Sequence, residues 1–185
     1  MRKVANDRRT RRTRKAIEQA FMELLLKNDI NKITIRDITN KADTNRSTFY
    51  THYEDIYDLL RITEDKLIDG ISIFHNDDPL GASAQESMTE SLQYIFDNRA
   101  LFRSIVNSSH GTEFLGKLCN VVGSKLLALL DDVPENEMLV CLYTNGAIAV
   151  IREWLSSDNP LMSAEEMCIF LENTLRRGLD ANKKG

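Results

Sequence analysis

Between residues 34 and 53 the chain reads TIRDITNKADTNRSTFYTHY, which sets Arg46, Ser47, Thr48, Tyr50 and His52 within seven positions. A guanidinium, two hydroxyls, a phenol and an imidazole at that density suit a nucleic-acid surface. Phosphate oxygens need cationic or hydroxyl donors to fix register, whereas base edges in the major groove need short polar or apolar contacts for discrimination. Arg46, Ser47 and Thr48 are therefore assigned to base edges or their flank, and Thr34, Tyr50 and His52 to phosphates. Upstream, Arg8, Arg9, Arg11, Arg12, Arg14 and Lys15 form a cationic run. Arg9 and Arg12 are its chosen contacts to flanking phosphates or the minor groove. A solvated helix start is the plainer reading of that run, and its place just ahead of residues 34–53 favours nucleic acid. His52 has a competing packing role beside its aromatic neighbours. With no second His or Cys at ligand spacing, neither it nor His75 or His110 marks a metal site.

Two short helices must hold these side chains over a small core of Ile35, Ile38, Ala42, Phe49 and Tyr53, which is a helix-turn-helix pattern. Thr34 followed by Asp37 has capping-box spacing, as do Asp55 with Asp58 and Ser163 with Glu166, and Asn45 is placed to cap the second short helix. Apolar spacing is helical nearly throughout, with Ile17, Phe21, Leu24 and Leu25 forming one stripe and Ile56, Leu59, Leu60, Leu67, Ile71 and Phe74 another. The pattern predicts an all-α chain of about nine helices, near 9–27, 35–41, 46–52, 56–73, 83–97, 99–107, 111–130, 135–156 and 164–179. Frayed ends are expected at 1–8 and 181–185.

The chain has 185 residues, with 24 Lys and Arg against 28 Asp and Glu and a net charge of -4, a total that argues against nucleic acid. The distribution argues otherwise. Residues 1–53 hold 13 basic and 6 acidic side chains, and residues 54–185 hold 11 and 22, so a basic head precedes an acidic body. The domains expected are 1–53 for nucleic acid and 54–185 for regulation and dimerisation, with 54–74 as the connecting helix. No nucleophile-base-orienter set, metal-ligand cluster or phosphate-binding glycine loop can be placed, so neither an enzyme nor a cofactor is expected. No stretch approaches the roughly 20 apolar residues of a membrane span, which points to a cytoplasmic protein with no membrane partner. Cys119, Cys141 and Cys168 read as core thiols.

Residues 10–60, through IEQAFMELLLKNDINKITIRDI and ADTNRSTFYTHYEDIYDLL, resemble the TetR family of bacterial transcriptional regulators. The resemblance implies that the first three helices bind DNA, that the fourth links them to an all-helical regulatory domain, and that the last two long helices dimerise. Thr34, Asn45, Arg46, Thr48, Tyr50 and His52 match the family's DNA-contacting positions. Two positions depart from the pattern. Asp43 stands where the family often has Gly, so it must bond locally or tolerate a turn that Gly eases. Ile56 stands where a phosphate-contacting lysine is common, so that contact should be missing. Further on, LFRSIVNSS and GAIAVIREWL are similar to a regulatory domain of some TetR-like proteins from Gram-positive bacteria.

An effector cavity would be lined by Phe74, Leu92, Phe96, Phe102, Phe114, Leu118, Val122 and Tyr143, each of which also suits an ordinary core. Arg99, Arg103, Asn107, Asn120 and Asn145 are polar candidates for the same cavity. The segment 138–154 is apolar around much of its circumference, and with the last helix it offers Met138, Leu142, Gly146, Ala149, Phe170, Leu171 and Leu175 as a dimer face. The expected function is a homodimeric repressor, released from a palindromic double-stranded operator by a small apolar or amphipathic effector. The alternative is a TetR-like activator or a protein-interaction regulator without a cavity.

Overall fold

The computed structural model describes residues 2–71, 84–128, 130, 134–157 and 160–182. Among them every regular element is helical: α1 (Arg2–Leu25), a 3-10 turn (Ile30–Lys32), α2 (Ile35–Lys41), α3 (Arg46–Tyr50), α4 (Ile56–Asp69), α5 (Ala84–Asp97), α6 (Arg99–Val106), α7 (Gly111–Leu127), α8 (Pro134–Ser156) and α9 (Ala164–Asn182). The all-α expectation of about nine helices holds. The largest difference lies at the start, where α1 continues back to Arg2 instead of fraying before residue 9. No Pro or Gly interrupts residues 2–25, and Arg, Lys, Ala and Glu are good helix formers.

The described chain divides into two compact units, one of residues 1–67 with 104–111 and one of residues 68–103 with 112–185. In the first, α1 packs on α2 and α2 on α3. Ile17, Phe21, Leu25, Ile30, Ile38, Phe49, Tyr53, Leu59 and Leu60 are buried there. Most of the expected stripe is thus buried, while Leu24, Ile35, Ala42 and Ile56 are only half-buried and Phe74 lies outside the described residues. The 3-10 turn, not expected from periodicity, is capped by Asp29, whose carboxylate accepts from Asn31 N. It buries Ile30 at the corner between α1 and α2.

In the second unit α5 packs along α9, and α8 along α9. Trp154 donates its indole N–H to the Met162 carbonyl at 2.7 Å and stacks on Phe96 at 5.3 Å, which fixes the end of α8 to α5. The start of α9 carries a complete capping box, with Glu166 N bonded to Ser163 Oγ at 3.1 Å and Ser163 N to Glu166 Oε2 at 2.8 Å. By length and composition α8 is apolar enough to cross a membrane, with mean hydropathy 1.2, contrary to the expectation that no stretch comes close. Gly146, Ala147 and Ala149 lie within it. Of the cysteines, Cys168 is buried, Cys119 half-buried and Cys141 exposed, so the core reading fails for Cys141, which lies on the outward side of α8.

Candidate nucleic-acid interface

The turn between α2 and α3 sets the geometry of the candidate face. Thr34 caps α2 with a complete capping box: its hydroxyl oxygen accepts from Asp37 N at 3.2 Å, and Asp37 Oδ2 accepts from Thr34 N at 3.0 Å. The Thr34 hydroxyl proton also points at Asp37 Oδ2, at 2.6 Å, and these bonds hold the Asp37 carboxyl below its ordinary range. Thr34 is exposed at the helix entrance, but its donor is already engaged. Asp43 adopts φ 49°, the left-handed conformation that Gly eases. Among the described residues its side chain has no hydrogen-bond partner, so of the two alternatives open to Asp43 the chain takes the strained turn. Thr44 N then closes onto Thr39 O at 2.9 Å.

Asn45 caps α3. Its side-chain oxygen accepts from Thr48 N at 2.8 Å, from the Thr48 hydroxyl at 2.8 Å and from the Ser47 hydroxyl at 2.7 Å. Phe49 is wholly buried and meets Tyr53 at 5.5 Å and Tyr50 edge-on at 5.8 Å. Burying that phenyl is worth about 2 to 3 kcal/mol, and it turns the rest of α3 outward. Arg46, Ser47 and Tyr50 are exposed, with Thr48 and His52 half-buried beside them. Tyr50 is thereby an exposed aromatic on a cationic and hydroxyl-bearing face. Arg9 and Arg12 are exposed on α1. Ile56, where the lysine is missing, is half-buried behind the exposed Glu54 and Asp55. Asp58 N bonds to Asp55 Oδ1 at 2.8 Å, but Asp58 Oδ2 reaches back to Glu54 N at 3.2 Å, one residue short of a closed box.

Two polar groupings in the first unit were not anticipated. Glu18, with 17% of its side chain exposed, accepts from Lys66 at 2.5 Å and Arg14 at 3.0 Å, and from the Tyr53 hydroxyl at 3.0 Å. Burial opposes ionisation of Glu18, but the bonds from Lys66, Arg14 and Tyr53 outweigh it and hold its carboxyl below the usual range. Burial and the Glu18 charge push the Tyr53 phenol up. The only sequence signal was a carboxylate beside Ile17 at the edge of a buried stripe. The second grouping joins the 107–111 turn to the 3-10 turn: Asp29 Oδ2 accepts from Ser109 N at 3.1 Å, Asn31 donates to Ser109 Oγ at 2.8 Å, and the Tyr57 hydroxyl donates to Asn31 at 3.2 Å. The His110 ring lies on that of Tyr57, with centroids 5.0 Å apart.

Residues 82–177 match the family described as transcriptional regulator C-terminal region, of TetR type. The chain belongs to the TetR family of transcriptional regulators. The family is one of regulators, not of enzymes. A 56-residue stretch is 48% identical to an uncharacterised HTH-type transcriptional regulator, YxbF, of Bacillus subtilis strain 168. That stretch is 30% of this chain and only 15% of that protein's length. Among solved structures, a TetR transcriptional regulator from Streptococcus agalactiae 2603V superposes with TM-score 0.72 at 24% identity, covering 93% of this chain and 98% of the other. The dihydroxyacetone kinase operon activator DhaS superposes with TM-score 0.67 at 22% identity, covering 91% and 97%. These likenesses place the chain in the TetR fold.

In this TetR-family chain the regulatory half treats the expected residues unevenly. Phe74 lies outside the described residues. Leu92, Phe102 and Phe114 are buried, with Phe102 centred 6.1 Å from Phe114. Leu118 and Val122 are half-buried on α7. The Tyr143 hydroxyl donates to the Leu171 carbonyl at 3.2 Å, and burial pushes its phenol up to about 12. Arg103 donates to the Leu155 carbonyl and, at 3.0 Å, to that of Ser156. It thus satisfies the open carbonyls at the C-terminus of α8. Arg99 sits 4.6 Å over the Phe96 ring, and Asn145 donates to the Cys141 carbonyl at 2.8 Å. These three polar candidates are therefore occupied within the fold. Asn107 and Asn120 are exposed. On the expected dimer face Met138 and Leu142 are 70% and 74% exposed, and Gly146, Ala149 and Phe170 are exposed with them. Leu175 is half-buried. Leu171 instead points inward, 2% exposed, because it continues the Met167 and Cys168 stripe of α9, in which Cys168 reaches the Gln85 carbonyl at the start of α5.

Proposed function

We propose that this TetR-family chain is a homodimeric, DNA-binding repressor, released from a palindromic operator by a small apolar or amphipathic effector. Residues 1–53 read the DNA, residues 54–74 connect, and the remainder of 54–185 dimerises and takes the effector. The observation that carries the reading is the face of α3, where Arg46, Ser47 and Tyr50 are exposed over the buried Phe49. Such a face supplies a cationic fork, hydroxyls and an aromatic at the entrance of a major groove. Thr34, Asn45, Thr48 and His52 flank it, and Arg9 and Arg12 extend its positive charge.

Support for the dimer comes from α8 and α9, which leave Met138, Leu142 and Phe170 exposed. Large apolar side chains gathered on adjoining helices favour a covering surface, and two-fold symmetry would set paired heads one helical turn apart, about 34 to 36 Å, or at a multiple of it. Selection from random duplex DNA tests the reading. The expected result is an enriched palindrome bound on the order of a thousandfold more tightly than scrambled duplex. No enrichment would overturn it. Operator titration with and without a copurifying molecule identified by mass spectrometry tests the effector arm, and unchanged affinity overturns that arm.

A further inference from the structure

Two of the three cysteines meet across one pair of helices in the second unit. Cys119, half-buried on α7, donates its thiol to Asn145 Oδ1 at 3.6 Å. Asn145, on α8, turns its Nδ2 toward the exposed Cys141, to Sγ at 3.7 Å and to the carbonyl at 2.8 Å. One amide thus lies against both sulfurs. Its oxygen and nitrogen are about 2.3 Å apart, so the sulfurs stand within roughly 10 Å even if the three spans run in line. Burial first, and then the neighbouring Cys141, push the Cys119 thiol up. A Cβ on Gly123 would lie 3.7 Å from Val140 Cγ1, so α7 and α8 approach closely beside the pair. Cys119 is level with Asn145 and Gly123 with Val140, which makes the two helices antiparallel and sets the cysteines about one turn, roughly 5 Å, out of step.

We propose that Cys119 and Cys141 form a two-thiolate site for a soft, two-coordinate metal ion of the Cu(I) class, which ties α7 to α8. Thiolate sulfur selects soft ions. Among the described residues no group of three or more His, Cys, Asp or Glu could hold a metal ion, so zinc lacks the four ligands it takes, whereas a two-coordinate ion needs no third. With metal–sulfur bonds near 2.3 Å, two sulfurs in line stand about 4.6 Å apart. A change of staggered rotamer swings a Cys sulfur by about 3 Å, so turning both closes even the widest separation to that distance. A direct S–S bond fits less well. It needs the Cα atoms within about 7 Å, against the one-turn offset, and a thiol held protonated is a poor nucleophile. A soft cation displaces the thiol proton itself, and two protons leave to water for each ion bound. Asn145 is a positioning residue, whose N–H faces Cys141 Sγ and supports the thiolate there. Cys141 lies about 100° around α8 from Leu142, so a dimer through Leu142 leaves the pair on its flank.

The experiment titrates the full chain, reduced and kept free of oxygen, with Cu(I) held as its bicinchoninate complex, and reads the loss of that complex's colour. Wild type should withdraw one Cu(I) per chain, and an equal concentration of Zn(II) should not compete. Neither Cys119 nor Cys141 is fully buried, so Cys119→Ser and Cys141→Ser are expected to fold, with denaturation midpoints close to wild type. Each should bind about a hundredfold more weakly, and Asn145→Ala about tenfold. Cys168→Ala, which removes a thiol turned to the Gln85 carbonyl, should bind as wild type does. Bound Cu(I) should also protect Cys119 and Cys141 together from iodoacetamide, read by peptide mass. No transfer of Cu(I) to wild type overturns the proposal, as does full retention by either Ser variant. Half an ion per chain overturns it in favour of a bridge between two subunits. A Cys119–Cys141 disulfide formed in air by a chain that takes no Cu(I) when reduced overturns it in favour of a redox pair. None of these outcomes bears on DNA binding, which is read separately.

Discussion

Replacing Asp43 separates two effects at one position, backbone strain and charge. The residue sits at φ 49°, where an L side chain costs roughly 1 to 2 kcal/mol, with Asp at the lower end. Its carboxylate accepts no hydrogen bond from the described residues, so truncation removes none of the bonds seen there. Asp43→Gly relieves the strain but gives the unfolded chain more freedom, worth about 0.5 to 1 kcal/mol in the other direction. The net is a stabilisation of a few tenths of a kcal/mol. Asp43→Ala keeps the strained φ without the tolerance of Asp for that region and should lose about 1 kcal/mol. Both changes remove a negative charge from the turn leading into α3. For a phosphate about 8 Å away in water, that repulsion is about 0.5 kcal/mol, cut to roughly a third by physiological salt. Each head then gains well under twofold in affinity for any duplex. Urea unfolding at pH 7 reads the first effect, and fluorescence anisotropy on selected and scrambled duplexes reads the second. Equal stability of the Gly and Ala variants would refute the strain argument, and a gain confined to the selected duplex would refute the charge argument.

Glu18→Gln should lower stability by about 1 kcal/mol near neutrality, since it weakens the bonds from Lys66 and Arg14. Because the folded carboxyl is held below its usual range, its contribution is fully present above the unfolded value of about 4.3 and is lost as pH falls through the folded one. Unfolding midpoints of the Gln variant measured from pH 7 to pH 3 should accordingly fall less steeply than those of wild type. Replacing Arg9 and Arg12 together by Ala should reduce the slope of log affinity against log salt by up to about 1.8, at about 0.9 per phosphate released, with the selected sequence unchanged. Arg14→Ala, whose guanidinium is held by Glu18, should leave that slope alone and cost less than about 1 kcal/mol of stability. Leu142→Arg should convert the dimer to monomer in sedimentation velocity, and a persisting dimer would move the interface away from the exposed side of α8.

The fold was legible because its determinants are local. Apolar residues returning at three and four positions, Thr34 with Asp37, and Ser163 with Glu166 each act within about one helical turn, and α2 and α9 begin where those signals put them. The 3-10 turn escaped because three residues cannot show a period, and its cap, Asp29, spends a second oxygen on Ser109, 80 positions away. Leu171 was misplaced for a related reason. Periodicity reveals that α9 has an apolar face but not which of two neighbouring stripes its own unit covers, and α5 takes the stripe of Met167, Cys168 and Leu171.

The candidate interface was legible in its residue types but not in the state of their hydrogen bonds. Thr34, Ser47 and Thr48 look alike in sequence as hydroxyl donors, yet all three protons are turned inward, to Asp37 or to Asn45. Before any of them donates to a phosphate or a base it must give up that bond, whereas each can accept without cost. Arg46 carries no such debt. Discrimination on this face should therefore lean on Arg46 as donor and on the hydroxyls as acceptors, which favours bases that offer an amino group beside the one read by the guanidinium. The same logic divides the cationic run on α1. Arg14 resembles Arg9 and Arg12 in type and spacing, but Glu18 commits it to the fold, so charge counting alone overstates how many of these arginines can meet a phosphate.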